Sequence, residues 1–389
     1  MNPQRILVLA EGQLGDLLLL TPALRSLKES FPRALLHVCV VQRRSYAPGG
    51  SDGASLLVAN PAVGTCEVVA PFADEVIEVS RPALRLARGI GRLRAEWAIV
   101  RRLRSGRYDT VISCFPEDRF AFWARFSGAR IRIGEEGEAF ARFYSVRPRI
   151  RKEEGGVLRY YCALASAAGA NVRSLATEFR VREEFHVRAD RLLAERGFLP
   201  GERFVVIHPG ASGPFRVWPP ESFARVAGIL QKEHGTRALL CGTAYDRRVS
   251  EAIRAQIDLP ELILEGSVGM LAAVLSRASL CLSNDSGPRH LAIAVGTPSV
   301  AIMPRLNDRA WGVYDQPGAA YVIAREQCPL CPPEHCFDRH NPGEEFGSAC
   351  MRMVTVERVL GEIERVRSTL PSSLPGIARR SSGSPDQSG

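Results

Sequence analysis

The chain has 389 residues, of which 46% are hydrophobic and 24% charged, ordinary proportions for a globular protein and enough length for two cores of about 150–200 residues each. No apolar run approaches the roughly 18–20 residues of a membrane-spanning helix, and Leu17–Leu20 follows no signal-peptide layout, so a cytoplasmic protein is expected. The formal charge of +9 comes from the first half: residues 1–180 hold 27 Lys and Arg against 18 Asp and Glu, while the remainder holds 24 of each.

The first predicted unit, RILVLAEGQLGDLLLLTPALRSLKESFP from Arg5 to Pro32, is a strand, a glycine turn and a helix. Its GQLGD lacks the third glycine of the dinucleotide fingerprint and instead puts Asp16 where the turn becomes a helix. Local sequence leaves two roles open for Asp16, an N-cap that accepts first-turn N–H bonds or a general base that points into a cleft. Gln42–Val63, with PGGSDG, reads as an irregular loop. Nine arginines follow between Arg81 and Arg107, opposed only by Glu96, with Leu86, Ile90, Leu93, Trp97 and Val100 at helical spacing. A basic amphipathic helix suits an anionic membrane or a phosphorylated glycolipid; it equally suits a helix that covers a sheet with its arginines solvated, and Gly89 and Gly91 weaken the helical reading. No nucleic-acid module accompanies these residues, so nucleic acid is not expected as a partner.

Short apolar runs recur along the chain: ILVLA (6–10), TVISCF (110–115), FVVIH (204–208), ALLCG (238–242) and SVAIM (299–303). Helix-length segments separate several of them, the pattern of doubly wound α/β domains with buried parallel strands. A change of pattern over 171–200 places the domain boundary, giving a first domain over 1–185 and a second over 200–353. In the second, VVIHPGASGPFRVWPPESFARV (Val205–Val226) runs from a strand through a Gly-rich loop into a helix opened at Pro219 and Pro220. Arg216 stands in that loop, where its fork of donors would grip a diphosphate; the competing reading is a surface arginine stacked on Trp218. SNDSGPRHLAIAVGTP (Ser283–Pro298) is a strand end, a polar turn and a helix opened by Pro288. Such a helix start presents unpaired N–H groups and the positive dipole end to an anion, with Gly287 giving close approach and Ser286 and His290 offering donors. An ordinary strand–helix turn capped by Asp285, with His290 packed as a structural residue, is the other reading of that segment. A last helix near Val354–Leu370 is expected to cross back onto the first domain, and 371–389 reads as a disordered tail.

Of ten cysteines, Cys39, Cys66, Cys114, Cys162, Cys241 and Cys281 lie in apolar runs and read as small core residues. Cys328, Cys331, Cys336 and Cys350 cluster, and their spacing leaves a structural zinc, a labile disulfide and free thiols open, the disulfide being the least natural in a reducing compartment.

GDLLLLTPALRSLK, then HPGAS with RVWPPESFA, then NDSGPRHLAIAVGTP and the late segment ending CMRMVT, in this order, resemble glycosyltransferase family 9, the ADP-heptose:lipopolysaccharide heptosyltransferases. The resemblance covers roughly residues 4 to 365 and implies a GT-B fold, two Rossmann-like doubly wound parallel-sheet domains facing across a cleft, the first for the acceptor and the second for the nucleotide sugar. It implies inverting transfer without a catalytic cofactor, in keeping with the lack of an Asp-x-Asp metal motif in these loops. Asp16 matches the family's Gly-Asp aspartate and becomes the expected base. The diphosphate is expected between Arg216, the Gly210–Ser212 backbone and the helix start at Ser286–Gly287, with Asp285 orienting the sugar or the turn. ADP-heptose and an anionic lipid A/inner-core glycolipid are the implied donor and acceptor; peripheral contact with an anionic membrane is expected from the charge of the basic first domain itself. Cysteine-rich segments occur in this family without implying a catalytic metal.

Two departures bear on the acceptor: acidic Glu11 precedes the Gly-Asp motif, and Arg216 stands where lysine is frequent. Another donor or acceptor, a nucleotide-sugar 2-epimerase and a non-catalytic nucleotide-sugar-binding protein are the competing functions. The epimerase would need acid and base groups at the sugar C2, and the sequence offers no clear set.

Overall fold

The computed structural model describes residues 3–42, 56–59, 64–135, 140–150, 152–264, 267–304, 310–312, 314, 316–324 and 345–369. The first sheet contains β1 (Arg5–Glu11), β2 (Leu35–Gln42), β3 (Leu57–Ala59), β4 (Glu75–Ser80), β5 (Thr110–Ser113) and β6 (Ile131–Ile133), in the order β3-β4-β2-β1-β5-β6. Its helices are α1 (Leu14–Ser30), α2 (Arg81–Leu86), α3 (Gly89–Ser105), α4 (Asp118–Phe126) and α5 (Lys152–Ala167). β1 is buried on both faces from Ile6 to Glu11, which is why it reads as an unbroken apolar run. Five of these strands are parallel; β3 pairs antiparallel with β4 and closes one edge, a departure from the all-parallel sheet expected.

The second half begins with α6 (Glu183–Glu195), followed by β7 (Phe204–His208), α7 (Pro220–His234), β8 (Arg237–Gly242), α8 (Arg247–Arg254) and β9 (Glu261–Ile263). It continues through α9 (Val268–Leu275), β10 (Leu280–Asn284), α10 (Gly287–Ala294), β11 (Ser299–Ile302) and β12 (Ala319–Val322), then α11 (Ala349–Arg352) and α12 (Val356–Thr369). All six strands are parallel in the order β12-β11-β10-β7-β8-β9, the doubly wound arrangement whose order reverses between β7 and β10.

Between the sheets the chain crosses over 170–182, tied to both sides. Arg25 of α1 pairs with Glu178 at 3.0 Å, and the Phe179 N–H donates to the Ala294 carbonyl at 3.1 Å. α6 packs on α9 through Phe185, Ala189 and Leu193, so the expected first-domain limit at 185 falls one turn inside a helix that belongs to the second sheet. The expected return of the last helix is also corrected. α12 buries Val356, Val359, Ile363 and Val366 in the second core, against β11, β12 and α7. The preceding turn is held there by the Trp218 indole N–H, which donates to the Val354 carbonyl at 2.9 Å. The segment 371–389 lies outside the described residues.

The two halves meet where α1 packs on α10. A Cβ on Gly15 would lie 2.9 Å from His290 Cδ2, and one on Gly287 3.0 Å from Leu14 Cβ, so both helix starts need glycine for this approach. Among the described residues no helix is long and apolar enough to cross a membrane.

Candidate active site

In the first sheet the strand order reverses around β1, which lies between β2 and β5, so the loops that follow β1 and β5 diverge over its carboxyl edge. The loop after β1 delivers Gln13 as the N-cap of α1, and no side chain caps that end. Asp16 is the third residue of the helix, which corrects the reading of it as N-cap. It is 5% exposed, with Gln13 Nε2 donating to Oδ2 at 3.2 Å and the Tyr161 hydroxyl to Oδ1 at 3.3 Å. Burial, and then the Asp16 charge, push the Tyr161 phenol well above its ordinary range, so it keeps its proton and donates. The result is a carboxylate aimed by two donors in the positively polarised first turn. Beside it Glu11, the last residue of β1, forms a buried ion pair with Arg81 of α2. Arg81 Nη2 also reaches both oxygens of Glu117, at 3.0 and 3.1 Å, binding the ends of β1, β4 and β5 together.

In the second sheet the reversal between β7 and β10 puts two loops side by side. Asn284 joins them: its Nδ2 donates to the Pro209 carbonyl at 2.6 Å, and its Oδ1 accepts the Trp218 backbone N–H at 2.9 Å. Gly210 is required, because a Cβ there would lie 1.8 Å from Asp246 Oδ1. Asp246 in turn accepts from the Thr243 N–H at 2.8 Å and hydroxyl at 2.9 Å, and lies 3.7 Å from His208 Nε2. Arg216 donates to Ser212 Oγ at 3.2 Å and to Asp285 Oδ2 at 3.4 Å. Trp218 is buried edge-on against Phe223, so Arg216 is directed at Asp285 rather than stacked on an exposed indole.

Asp285 does not cap α10. It lies between Arg216 and Arg289, the latter 3.3 Å from Oδ1 and 2% exposed. Ser286 is the N-cap, yet its hydroxyl donates back to the Asn284 carbonyl at 3.3 Å and leaves the helix start without a side-chain cap. That start, with the half-buried Gly287 at its head, keeps first-turn N–H groups for an anion. His290, one turn in, is buried, with Nδ1 bonded to the Tyr314 hydroxyl and its other edge against Gly15. Burial and the Arg289 charge hold it well below its ordinary pKa, so the ring is neutral and packed between the halves.

Cys328, Cys331 and Cys336 lie outside the described residues; Cys350 is buried in the second core, 3.4 Å from Ser348 Oγ. The six scattered cysteines are buried, as their apolar settings imply. Among the described residues no three His, Cys, Asp or Glu side chains converge as a metal site.

Two anion-suited loops and a held carboxylate at facing strand edges are what glycosyl transfer from a nucleotide sugar requires. Residues 96–337 match the family model of glycosyltransferase family 9 (heptosyltransferase). The chain belongs to glycosyltransferase family 9. It is 23% identical over 382 residues to lipopolysaccharide heptosyltransferase 3 of Escherichia coli (strain K12), covering 94% of this chain and 98% of that one. Its fold is shared with a family 9 glycosyltransferase from Veillonella parvula DSM 2008, at TM-score 0.70 and 21% identity over 93% of this chain and 97% of the other. It is shared as well with the E. coli heptosyltransferase WaaC solved with ADP, at TM-score 0.65 and 18% identity over 93% and 100%. The architecture is therefore GT-B.

Within this family 9 site several residues escaped sequence reasoning. Asn284 carried a signal, because it opens the NDSG turn, and Arg289 sits one turn from Asp285 on the same helix. Tyr161 and Asp246 carried none: each acts on a residue far away in the chain, Asp16 and Gly210.

Proposed function

We propose that this glycosyltransferase transfers heptose from ADP-heptose to the inner core of lipopolysaccharide, with inversion at the anomeric carbon. Asp16 takes the proton of the attacking acceptor hydroxyl, and the departing ADP is held by Arg216, the Gly210–Ser212 backbone and the start of α10 at Ser286–Gly287. Asp285 fixes Arg216 and orients the donor sugar, and His290 sets the approach of the two halves from the side of the phosphates. The chemistry asks for no catalytic metal, since fixed positive potential meets the charge that grows on the diphosphate. The observation that carries this reading is the contact of α1 with α10, the two helices whose first turns carry the held carboxylate and the start without a side-chain cap. The relatives add support: one is described as a lipopolysaccharide heptosyltransferase, and two solved neighbours hold ADP or ADP-2-deoxy-2-fluoro heptose.

A different acceptor is the second reading, and Glu11 with Arg81 and Glu117 favours it. Two carboxylates around one guanidinium, Glu11 fully buried and Glu117 partly exposed, leave a net negative charge at the end of β1, where a phosphorylated core would call for a positive one. Titration of ADP-heptose, UDP-sugars and GDP-sugars by calorimetry, followed by transfer to heptose-deficient lipopolysaccharide, separates the cases. Binding of ADP-heptose alone with a heptose-sized mass gain on the acceptor supports the proposal. ADP-heptose binding with transfer only to another glycan moves the function to the second reading, and preference for a different nucleotide contradicts the donor.

A further inference from the structure

α3 carries an apolar stripe that is packed inward at its C-terminal end and left outside at its N-terminal end. Ile99, Val100 and Leu103 are buried against the first sheet. Ile90, Leu93 and Trp97 continue the stripe toward the N-terminus, Leu93 one heptad before Val100, and are 69%, 62% and 46% exposed; Leu86 at the end of α2 is 67% exposed. Residues 88–94 are all exposed, so the first two turns of α3 project from the domain. That end has no side-chain cap, begins at Gly89 with φ +52°, and has open space around Gly89 and Gly91. An uncapped, glycine-containing helix end with its apolar side chains exposed is weakly held in water and gains most from a surface that covers it.

Charge identifies the cover. Arg85, Arg88, Arg92, Arg94 and Arg101 are exposed around the apolar stripe, and among the described residues no carboxylate pairs with them. Glu96 turns inward, accepting the Trp123 indole N–H at 2.7 Å and pairing with Arg119 at 3.2 Å. Trp97 rests edge-on against the half-buried Phe122 and Phe126, an aromatic cluster of the kind that settles at a headgroup boundary. A second copy docked symmetrically on this face would set arginine against arginine. Apolar side chains ringed by unneutralised cations instead match an anionic bilayer surface.

Position connects the face to the reaction. β4 ends at Ser80 in register with Gln42 of β2, and Val41 is in register with Glu11 of β1. The chain leaves that same carboxyl edge through Arg81, which pairs with Glu11 at the strand end that leads to Asp16, into α2 and the exposed start of α3. We propose that Leu86, Ile90, Leu93 and Trp97, with their flanking arginines, dock this enzyme on an anionic lipid bilayer and present the acceptor edge of the cleft to it. The link to the acceptor rests on the lipopolysaccharide reading above; the docking itself does not.

The test uses the full chain and vesicles that contain no glycolipid, either phosphatidylcholine alone or phosphatidylcholine with phosphatidylglycerol. Wild type is expected to sediment with the phosphatidylglycerol vesicles at least about tenfold better than with phosphatidylcholine, and Ile90→Ser/Leu93→Ser to lose about tenfold of that binding. Brominated lipid is expected to quench wild-type tryptophan fluorescence but not that of Trp97→Phe. Thermal unfolding confirms that the exposed substitutions leave the fold intact, and ADP-heptose affinity, measured separately, reports on the enzymatic reading alone. Equal vesicle binding by wild type and Ile90→Ser/Leu93→Ser overturns the proposal, as does equal binding to both lipid mixtures. A wild type that ignores vesicles but self-associates, with the double variant monomeric, overturns it in favour of an interface between copies.

Discussion

At the carboxyl edge of the first sheet, the helix after β1 carries a buried carboxylate three residues in, turned by Gln13 and Tyr161. At the matching edge of the second sheet, the helix after β10 opens with no side-chain cap, and the nearest carboxylate, Asp285, is held by Arg216 and Arg289. Both places are topological switch points followed by a helix start, and the two helices pack on each other. What differs is the sign of the group supplied by the side chains. On the proposed function, the held anion at one start serves proton removal and the cations beside the other serve a leaving diphosphate, so one architecture would give the two halves of a displacement reaction through a handful of side chains.

If this division of labour is right, the halves fail differently. Asp16→Asn keeps the size of the side chain but exchanges one accepting oxygen for an NH2 donor and removes the base, and turnover is expected to fall by about 10²–10⁴-fold in a product assay. Arg216→Ala removes the cation at the diphosphate and is expected to lower kcat/KM by about 10²–10³-fold. Arg216→Lys restores the charge but not the fork and should recover only part of that loss. Gly210→Ala forces a methyl into Asp246 and is expected to lower unfolding stability by about 1–3 kcal/mol in denaturant titration, with Gly210→Ala/Asp246→Ala recovering part of it.

Acid should weaken the fold through the buried histidines. His290 and His208 are held below the ordinary value of 6.5, chiefly by burial, so the folded state resists a proton that the unfolded chain accepts. Their contribution is complete above 6.5 and is lost as pH falls from there toward the folded pKa, at no more than about 1.4 kcal/mol per pH unit for each. His290→Gln should flatten the stability–pH curve below 6.5; an unchanged slope would mean that this ring is not buried neutral between the halves.

The strands were the most legible part of the chain. FVVIH coincides with β7, and SVAIM and TVISCF overrun β11 and β5 only at their ends, because strands buried on both faces are continuous apolar runs bounded by polar turns. β3 gave no such signal, being three residues at an edge. The period of α12 announces a buried face but does not say which core receives it, so its return to the second sheet had to come from the structure. At the site, the motif residues Asp16, Arg216 and Ser286–Gly287 could be named because each sits at a strand–helix junction. The role of Asp16 turned on whether it stands at the N-cap or three residues in, a register that local sequence does not fix. The hydrogen bond from Tyr161, 145 residues away, exists only after folding.

The most direct test compares ADP-heptose affinity by calorimetry in wild type, Asp16→Asn and Arg216→Ala. The account predicts wild-type affinity for Asp16→Asn and a weakening of about tenfold or more for Arg216→Ala, whose guanidinium is assigned to the diphosphate. Loss of donor binding in Asp16→Asn, or full affinity in Arg216→Ala, would contradict the assignment of base and leaving-group chemistry to separate halves of the molecule.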